Sequence, residues 1–532
     1  WAWRCKFTPL TNFVIGFPKL FYQWEYFMSN FLFDRLFGCH EGETKVFLMF
    51  ADGSQQSYDS FLRQAARFAN VIEQLGLVVG DRLAAQIEKS AEGLALYAAC
   101  IQSGVIFLPL NTAYTPAEIS YFVGDSGAKL LVADQNFILG EIADEHGAVF
   151  EFLNGDGSGT FCDLARNASD QFETVDRSRD DLAAFLYTSG TTGRSKGAML
   201  THNNLLSNAE TLVGEWRFSG EDVLIHALPI FHTHGLFVAT NTILLAKAAM
   251  IFLPKFSTDT VIEALPKANT MMGVPTFYTR LLDDPRFTLE LTRHMRLFIS
   301  GSAPLLAETH VQFERRTGHR ILERYGMTET NMNTSNPYDG ERRAGTVGKP
   351  LPGIDIKITN PDTGETLTDG NIGQIEVRGP NVFKGYWKMP EKTREELRDD
   401  GFFITGDLGQ IDNFGYLQIV GRNKDLIISG GYNIYPKEIE LVLDDLPGVL
   451  ESAVIGAPHP DFGESVIGLL VAEGSQSLDL KVIEEVLGQR LARFKRPRKL
   501  FIIDSLPRNT MGKVQKNILR DEFSSTFKDL AK

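Results

Sequence analysis

The segment Tyr187-Thr188-Ser189-Gly190-Thr191-Thr192-Gly193-Arg194-Ser195-Lys196-Gly197 indicates the fold class of this chain. It follows the continuous apolar run Leu182–Tyr187, typical of a buried strand, and a helical pattern resumes near Asn204. Its small residues let the backbone approach a ligand closely, its hydroxyls donate to phosphate oxygens, and Lys196 neutralises charge. A generic loop is the alternative, but this long run after a buried strand favours a polyphosphate cradle.

The order of residues distinguishes this loop from another phosphate-binding loop. A Walker A loop ends in Gly-Lys-Ser/Thr, whereas Lys196 here lies between Ser195 and Gly197. The protein is therefore not predicted to be a P-loop nucleotide hydrolase.

Outward from the loop, helical and strand patterns alternate. The helical period of Phe61–Leu75 is followed by the short apolar runs Leu83–Ile87 and Lys129–Ala133. This alternation is typical of an α/β protein.

The pattern changes after Gly421. Leu426–Ser429 and Val454–Ile455 read as short strands, Leu480–Leu491 has a helical period, and Leu500–Ile503 reads as a further strand. These elements predict a small C-terminal α+β domain at 426–532, with a boundary near Gly421–Asp425, where Gly-Arg-Asn-Lys-Asp has turn chemistry.

Composition restricts the partners of the chain. Its 532 residues carry a net charge of −14, which repels nucleic acid and anionic lipid at long range. The most apolar stretch, Leu236–Leu253, is interrupted by Asn241, Thr242 and Lys247, so it falls short of the ~18 apolar residues that a membrane span needs. We expect neither a nucleic acid nor a membrane partner.

The cysteines and the first residues bear on location. The four cysteines have no CxxC spacing, which suits a reducing compartment and predicts a cytoplasmic protein with scattered thiols. Residues 1–27 are crowded with aromatic residues and resemble neither a signal nor a transit peptide. We expect them to be an upstream extension and Met28 to be the natural start; an organellar location is the alternative if the segment is native.

Further blocks follow the phosphate loop in order. With it, they resemble the adenylate-forming superfamily of acyl-CoA synthetases, luciferases and adenylation domains, from about Met28 to the C-terminus. They are Gly301-Ser302-Ala303-Pro304-Leu305, Glu323-Arg324-Tyr325-Gly326-Met327-Thr328-Glu329, Thr405-Gly406-Asp407, Gly421-Arg422-Asn423-Lys424-Asp425 and Pro507-Arg508-Asn509-Thr510-Met511-Gly512-Lys513. The resemblance implies that 28–421 is a large N-terminal domain of layered sheets and helices and that 422–425 is a hinge.

The resemblance implies a reaction in two halves. An acid is first joined to the AMP part of ATP, and the thiol of coenzyme A (CoA) then displaces AMP. In this superfamily Tyr325 would stack on adenine. Asp407, expected in a short turn after Thr405, would bind the ribose hydroxyls, and Arg422 would assist there or at the phosphate. The implied ATP-binding residues are Thr188, Ser189, Gly190, Thr191, Thr192, Gly193, Lys196, Gly301, Ser302, Ala303, Pro304, Glu323, Arg324, Tyr325, Gly326, Met327, Thr328, Asp407 and Arg422.

The resemblance also assigns the reactive groups. Glu329, with Thr191, matches the Mg²⁺ position, and Thr328 lies in the same catalytic block. Lys513 matches the lysine that bridges carboxylate and phosphate oxygens; a merely solvated lysine is the alternative. Lys424 matches the hinge about which the small domain rotates, bringing Gly430 and Gly431 to the pantetheine tunnel.

The acyl pocket distinguishes this chain within the superfamily. The blocks 229–235, 272–280 and 323–336 closely resemble those of the malonyl-CoA synthetases, which implies malonate or methylmalonate as the acid. His234 and Arg280 are expected to supply cationic donors: Arg280, aided by Ser302 or His234, would hold the second carboxylate, and His232 would gate the path to the thiol. A structural ion pair is the alternative for Arg280, and the two histidines alone do not make a metal site.

Three other functions stay open at this stage. One is a ligase for short-chain or aryl monocarboxylates, another is an adenylation domain that serves a carrier protein, and the third is a catalytically silent nucleotide-binding protein. The presence of Lys513 and Glu329 argues against the last. For the assembly we expect a monomer or a weak homodimer.

Overall fold

The computed structural model describes residues 29–134, 136–188, 195–429, 432–459, 462–474, 478–491, 493–509 and 512–527. The predicted extension at 1–27, the loop residues Ser189, Gly190, Thr191, Thr192 and Gly193, and the paired glycines Gly430 and Gly431 lie outside these ranges.

The described strands form four sheets. Their bounds are β1 Val46–Met49, β2 Gln55–Ser57, β3 Arg82–Gln86, β4 Ile106–Pro109, β5 Leu130–Ala133, β6 Val149–Phe152, β7 Leu182–Thr188, β8 Lys196–Thr201, β9 Val223–His226, β10 Ala249–Phe252, β11 Thr270–Gly273, β12 Leu297–Ser300, β13 Leu322–Met327, β14 Asn331–Ser335, β15 Lys349–Pro350, β16 Asp355–Thr359, β17 Gly373–Arg378, β18 Phe403–Ile411, β19 Leu417–Arg422, β20 Ile427–Ser429, β21 Tyr432–Ile434, β22 Val449–His459, β23 Gly463–Ala472 and β24 Lys499–Ile502.

Helices cover these sheets. Their bounds are α1 Phe33–Leu36, α2 Tyr58–Gln74, α3 Ala91–Ser103, α4 Pro116–Ser126, α5 Phe137–Glu145, α6 Thr160–Arg166, α7 His202–Glu215, α8 Asn241–Ala246, α9 Thr258–Ala264, α10 Pro275–Leu282, α11 Leu289–Thr292, α12 Ala307–Thr317, α13 Pro390–Glu396, α14 Pro436–Asp444, α15 Leu480–Arg490 and α16 Lys516–Glu522. A π-helix spans His234–Thr240, and 3₁₀ turns span Gly38–His40, Leu265–Lys267, Asn423–Asp425 and Arg493–Lys495. Within the described ranges, no helix combines the length and the apolar character needed to cross a bilayer.

The N-terminal part contains two large sheets and a smaller one. The first large sheet has the order β6-β5-β3-β4-β7-β8, and the second has the order β15-β14-β13-β12-β11-β9-β10-β1-β2. Most neighbouring strands in both are parallel, and these strands are apolar along their length because helices bury both faces. The smaller antiparallel sheet has the order β16-β17-β18-β19.

The C-terminal part has a sheet and a core of its own. Its sheet has the order β21-β20-β23-β22, with β24 beside β23, and α14 and α15 pack their apolar residues into a separate core. The predicted hinge residues 423–425 form a 3₁₀ turn between β19 and β20, which belong to different sheets. The α/β architecture predicted from the sequence is therefore confirmed.

Two local expectations are wrong. The predicted short strand Val454–Ile455 is part of β22, an eleven-residue strand that pairs with β23 along its length. Asp407, expected in a short turn, lies inside β18, where it is paired in register with Arg422 of β19. In both cases pairing with neighbouring strands extends a strand through polar residues.

Candidate active site

The strand pair β7–β8 carries the two ends of the phosphate loop. Thr188 ends β7 and Lys196 begins β8, and the two residues are paired in register. Lys196 is buried, and its Nζ lies 3.1 and 3.2 Å from the two carboxylate oxygens of Glu396. The same Nζ lies 4.2 Å from the centre of the Tyr386 ring. The cation predicted for phosphate binding is therefore held in a fixed position.

Glu329 follows β13 in a turn that also contains Thr328. It is buried, and burial raises the pKa of its carboxyl group above the usual value. Its Oε1 accepts hydrogen bonds from Thr188 Oγ1 at 3.3 Å and from the Tyr386 hydroxyl at 3.1 Å. A buried carboxylate beside a hydroxyl suits Mg²⁺, which takes one or two protein oxygens together with phosphates and water.

Tyr325, Asp407 and Arg422 form a hydrogen-bonded group on three strands. The Tyr325 hydroxyl donates to Asp407 Oδ2 at 2.5 Å, and Arg422 Nε lies 2.6 Å from Asp407 Oδ1. The negative charge of Asp407 is the main cause of the raised pKa of Arg422. The structure thus brings together the residues predicted to bind the nucleoside, while their contacts with ATP stay predictions.

The segment Gly301–Pro304 follows β12 and precedes α12. Ser302 has a φ of +72°, in the left-handed region that is unfavourable for a residue with a side chain. The next backbone N–H, that of Leu305, donates to Glu323 Oε1 at 3.2 Å. Burial raises the pKa of Glu323 to about 8. Glu323 therefore holds the end of this loop through the hydrogen bond from Leu305, and its carboxyl group is largely protonated.

The side chain of Arg324 packs against Gly301 of this loop. It is buried, and its Nε and Nη2 have no hydrogen-bond partner in the described part of the chain. A Cβ built on Gly301 would lie 2.4 Å from Arg324 Cζ, so the guanidinium occupies the space above the glycine. Burial lowers the pKa of Arg324 to about 9. Within the described ranges, no carboxylate forms an ion pair with this group.

The two predicted histidines border the same space. His234 begins the π-helix, and its Nδ1 lies 3.1 Å from Ser302 Oγ. Burial, followed by the nearby charge of Arg324, lowers the pKa of His234 well below its usual value. His232 precedes it, and burial lowers its pKa to about 4, with Lys513 as a smaller cause. The expectation of a cationic His234 is therefore wrong: both imidazoles are neutral at physiological pH.

Arg280 is exposed on α10. It lies four residues after Thr276, hence on the same side of the helix, and Thr276 faces the loop that carries Lys513. Among the described residues it forms no ion pair, so the structural alternative gains no support. The arginine stays a candidate for substrate binding from the rim of the site.

The C-terminal part delivers Lys513 to the same space. A Cβ on Gly512 would lie 3.7 Å from Thr276 Cγ2. Lys513 retains solvent exposure, yet the surrounding protein lowers the pKa of its amine, mainly by burial and next through the charge of Arg422. The predicted catalytic lysine thus lies beside the nucleoside group, not on a distant surface.

The remaining predicted residues differ in what the structure says about them. Lys424 is exposed in the 3₁₀ turn between the sheets, and its neighbour Asp425 forms an ion pair with Arg520. Gly326 and Met327 end β13, and Ala303 and Pro304 lie in the loop after β12. The loop residues 189–193 and Gly430–Gly431 lie outside the described residues.

Sequence reasoning missed two features of the site. The motif assigns Arg324 to the nucleotide block, but its buried guanidinium packs against Gly301, and its charge lowers the pKa of His234. Sequence reasoning also did not identify Tyr386 and Glu396, which link Lys196 to Glu329. The sequence shows an arginine next to Tyr325, but it does not show that this arginine has no acidic partner within the part of the chain that the structure describes.

Comparison with known proteins agrees with this geometry. A sequence profile of the AMP-binding enzyme family matches residues 39–387, and a profile of the AMP-binding enzyme C-terminal domain matches residues 438–513. The chain belongs to the AMP-binding enzyme family. Malonate–CoA ligase of Arabidopsis thaliana is 37% identical to it over 524 residues, covering 88% of this chain and 85% of that protein. The predictions of the family and of an AMP-forming CoA ligase that uses ATP and CoA are confirmed.

Solved structures resemble the whole fold of this family member. ATP-bound MatB from Rhodopseudomonas palustris is 57% identical, with a TM-score of 0.92 over 94% of this chain and all of that chain. Apo MatB from the same organism has the same identity and coverage but a TM-score of 0.82. At equal sequence identity, the structure is therefore more similar to ATP-bound MatB than to apo MatB.

Proposed function

We propose that this enzyme joins malonate, with methylmalonate as a second acid, to CoA through an acyl-adenylate, releasing AMP and pyrophosphate. The observation that carries the proposal is Arg324, a buried guanidinium without a carboxylate partner in the described part of the chain. A buried unpaired cation is unfavourable by several kcal/mol, on the order of 3 to 5. An anionic substrate group would remove that cost. The similarity to the malonate–CoA ligase and to MatB supports the same substrate.

A dicarboxylate fits the distribution of charge in the cleft. Lys513 enters from the C-terminal part beside Asp407 and Glu329, where the reacting carboxylate would meet ATP. Arg324 packs against Gly301, and its charge acts on both His234 and Lys513. The second carboxylate would be held there by the planar fork of the arginine, with Ser302 and the neutral His234 as hydrogen-bonding groups and Arg280 at the rim.

The chemistry requires charge stabilisation more than proton transfer. A carboxylate oxygen of the acid attacks the α-phosphorus of ATP, and the bond to pyrophosphate breaks with its electron pair. The CoA thiolate then attacks the acyl carbon, and AMP leaves. Lys513 and Lys196 would stabilise the negative charge on the phosphate oxygens in the first step. His232, which is neutral, would add no charge of its own to the path of the thiol.

Glu329 and Thr188 would hold Mg²⁺ together with the phosphates, as would Thr191 in the part of the loop outside the described residues. When bound, the ion supplies positive charge to the phosphate oxygens. Tyr386 orients the Glu329 carboxylate through its hydrogen bond.

The second half of the reaction would need a rotation of the C-terminal part about Lys424, which withdraws Lys513 and brings Gly430 and Gly431 towards the thiol. The position of the 3₁₀ turn between two sheets supports a hinge there. We also propose a cytoplasmic monomer or weak homodimer, for which the free thiols of Cys39, Cys100 and Cys162 suit a reducing compartment.

The function is tested by AMP release from ATP in the presence of CoA and Mg²⁺. Malonate, methylmalonate, acetate, butyrate and 4-coumarate are compared at equal concentration, and activity confined to the two diacids is expected. Arg324→Leu and Arg280→Leu should each lower kcat/KM for malonate by about 10²-fold or more, because an unpaired carboxylate is costly to bury. Arg293→Leu, on the exposed surface, is the control. If the enzyme prefers acetate, butyrate or 4-coumarate, it is a ligase for monocarboxylates, and the malonate proposal is wrong.

A further inference from the structure

Lys89 and His226 form a buried pair that the reaction does not use directly. Lys89 lies between β3 and α3, and His226 ends β9 in the other large sheet. Lys89 Nζ lies 2.9 Å from His226 Nδ1 and 2.7 Å from the His226 carbonyl oxygen. The ring of Phe252 lies 4.3 Å from the same Nζ. Within the described ranges, no carboxylate forms an ion pair with Lys89, although only 9% of the residue is exposed.

The hydrogen bonds determine which nitrogen of His226 carries the proton. His226 Nε2 lies 2.9 Å from the carbonyl oxygen of Gly235, which can only accept, so Nε2 must donate. Nδ1 is then an acceptor, and Lys89 is the donor that satisfies it. Burial favours the neutral amine of Lys89, which retains two N–H groups for its two acceptors.

This chain of hydrogen bonds ends at the wall of the acyl site. Gly235 is the second residue of the π-helix, directly after His234, and Thr240 Oγ1 donates to the same carbonyl at 3.0 Å. A Cβ on Gly235 would lie 2.0 Å from the carbonyl oxygen of Pro229, so the helix start is packed against the segment that leads to His232. π-Helical turns are rare and are frequently found at functional sites.

We propose that Lys89 is a positioning residue for the acid substrate. By donating to Nδ1 and to the carbonyl of His226, it fixes the tautomer whose Nε2–H holds Gly235, and thereby the orientation of His232 and His234. Without that donor, Nδ1 is buried and unsatisfied, and the other tautomer loses the Gly235 contact. The proposal refines the acyl site of the proposed function and rests on it only for the identity of the acid.

The test is the steady-state kinetics of Lys89→Met in the full-length enzyme, which preserves the apolar stem and removes the donor. We expect KM for malonate to rise about tenfold or more, KM for ATP to stay within about twofold, and kcat to change less than KM for malonate. Lys129→Met, an exposed lysine before β5, is the matched control and should equal the wild type. If Lys89→Met only destabilised the fold, KM for malonate and KM for ATP would rise together.

A double-mutant comparison tests the route through His226. If Lys89 acts through that ring, the effects of Lys89→Met and His226→Gln on KM for malonate will not add. Should Lys89→Met fail to fold, Lys89→Gln, which restores an amide donor, is expected to give a smaller rise in the same KM. Unchanged KM for malonate, equal rises for both substrates, or additive effects would overturn the proposal. If the wild type prefers another acid, the same split is expected with that acid, so failure of the proposed substrate is seen separately.

Discussion

Gly301 and Arg324 are packed so closely that the guanidinium fills the space in which a side chain at position 301 would begin. A Cβ built there would lie 2.4 Å from Arg324 Cζ and from Nη1. Gly301 is not among the residues with positive φ, so its backbone conformation does not demand glycine. Instead, Arg324 demands glycine at position 301, because its buried guanidinium fills the space that a side chain there would need. This relationship ties the glycine, predicted to bind ATP, to the arginine proposed to hold the acid.

Gly301→Ala should therefore weaken use of the acid. The added methyl group forces the guanidinium aside, and a displaced arginine no longer pairs with the second carboxylate. We expect kcat/KM for malonate to fall by about tenfold or more, measured by AMP release. Gly214→Ala in α7 is the control, since a Cβ there would contact nothing within 4 Å. Equal activity of the two variants would contradict the placement of Arg324.

Ser302 combines an unfavourable backbone conformation with a contact to His234. Both Ser302→Gly and Ser302→Ala remove the hydroxyl that lies 3.1 Å from His234 Nδ1, and both should lower activity with malonate. Their stabilities should differ, because glycine tolerates a φ of +72° and alanine does not. In urea unfolding we expect Ser302→Gly to be more stable than Ser302→Ala by about 1 kcal/mol. The reverse order would show that the backbone is unstrained there.

Lys513 should be needed in only one half of the reaction. Because its cation lies beside the nucleoside group, Lys513→Ala should slow formation of the acyl-adenylate, measured by pyrophosphate release, by about 10²-fold or more. Thioester formation from preformed adenylate should stay within about threefold of the wild type. Lys481→Ala, an exposed lysine of α15, is the control. Equal losses in the two half-reactions would reject this role.

Lys424→Pro tests the hinge. Proline fixes φ and disfavours the helical region for the preceding residue, so it restricts the 3₁₀ turn at Asn423–Asp425. We expect one half-reaction to slow by about tenfold or more while the other is nearly unchanged. Separate assays of pyrophosphate release and thioester formation measure this. An enzyme unaffected in both would place the rotation elsewhere.

Local patterns predicted the elements but not their full extent. The helical period of Phe61–Leu75 corresponds to α2 at Tyr58–Gln74, which begins where Ser57 accepts from the Ser60 N–H. The strand β22 was read as two residues because polar residues flank its apolar centre. Its eleven residues are extended by pairing with β23, a tertiary effect that local sequence does not contain.

The same limit applies to the site. Motifs predict that Lys196, Tyr325, Asp407 and Lys513 share one site. In the structure Tyr325 donates to Asp407, whose charge acts on Lys513, while the charge of Lys196 acts on Glu329; their roles stay predictions. That Arg324 has no acidic partner among the described residues could not be predicted, since any of the chain's carboxylates could have supplied one. The Lys89–His226 contact joins residues 137 positions apart, with no motif to link them.

Glu323 should make the stability of the protein depend on pH. In the folded state burial raises its pKa to about 8, against about 4.3 in an unfolded chain. The folded protein therefore retains a proton that the unfolded chain releases. The stabilisation is complete below about pH 4 and is lost as pH rises towards about 8, by up to about 1.4 kcal/mol per pH unit within that window.

Glu323→Gln should remove this slope, because the amide imitates the protonated acid at every pH. Urea unfolding at about pH 5 and about pH 8 measures it: we expect the variant to lose less stability than the wild type between the two values. Glu145→Gln, an exposed acid at the end of α5, should retain the slope of the wild type. If wild type and Glu323→Gln respond identically, Glu323 is ionised in the folded protein. The loop at Gly301–Pro304 is then supported by a charge, and Lys437, the cation whose charge acts on Glu323, becomes its counter-ion.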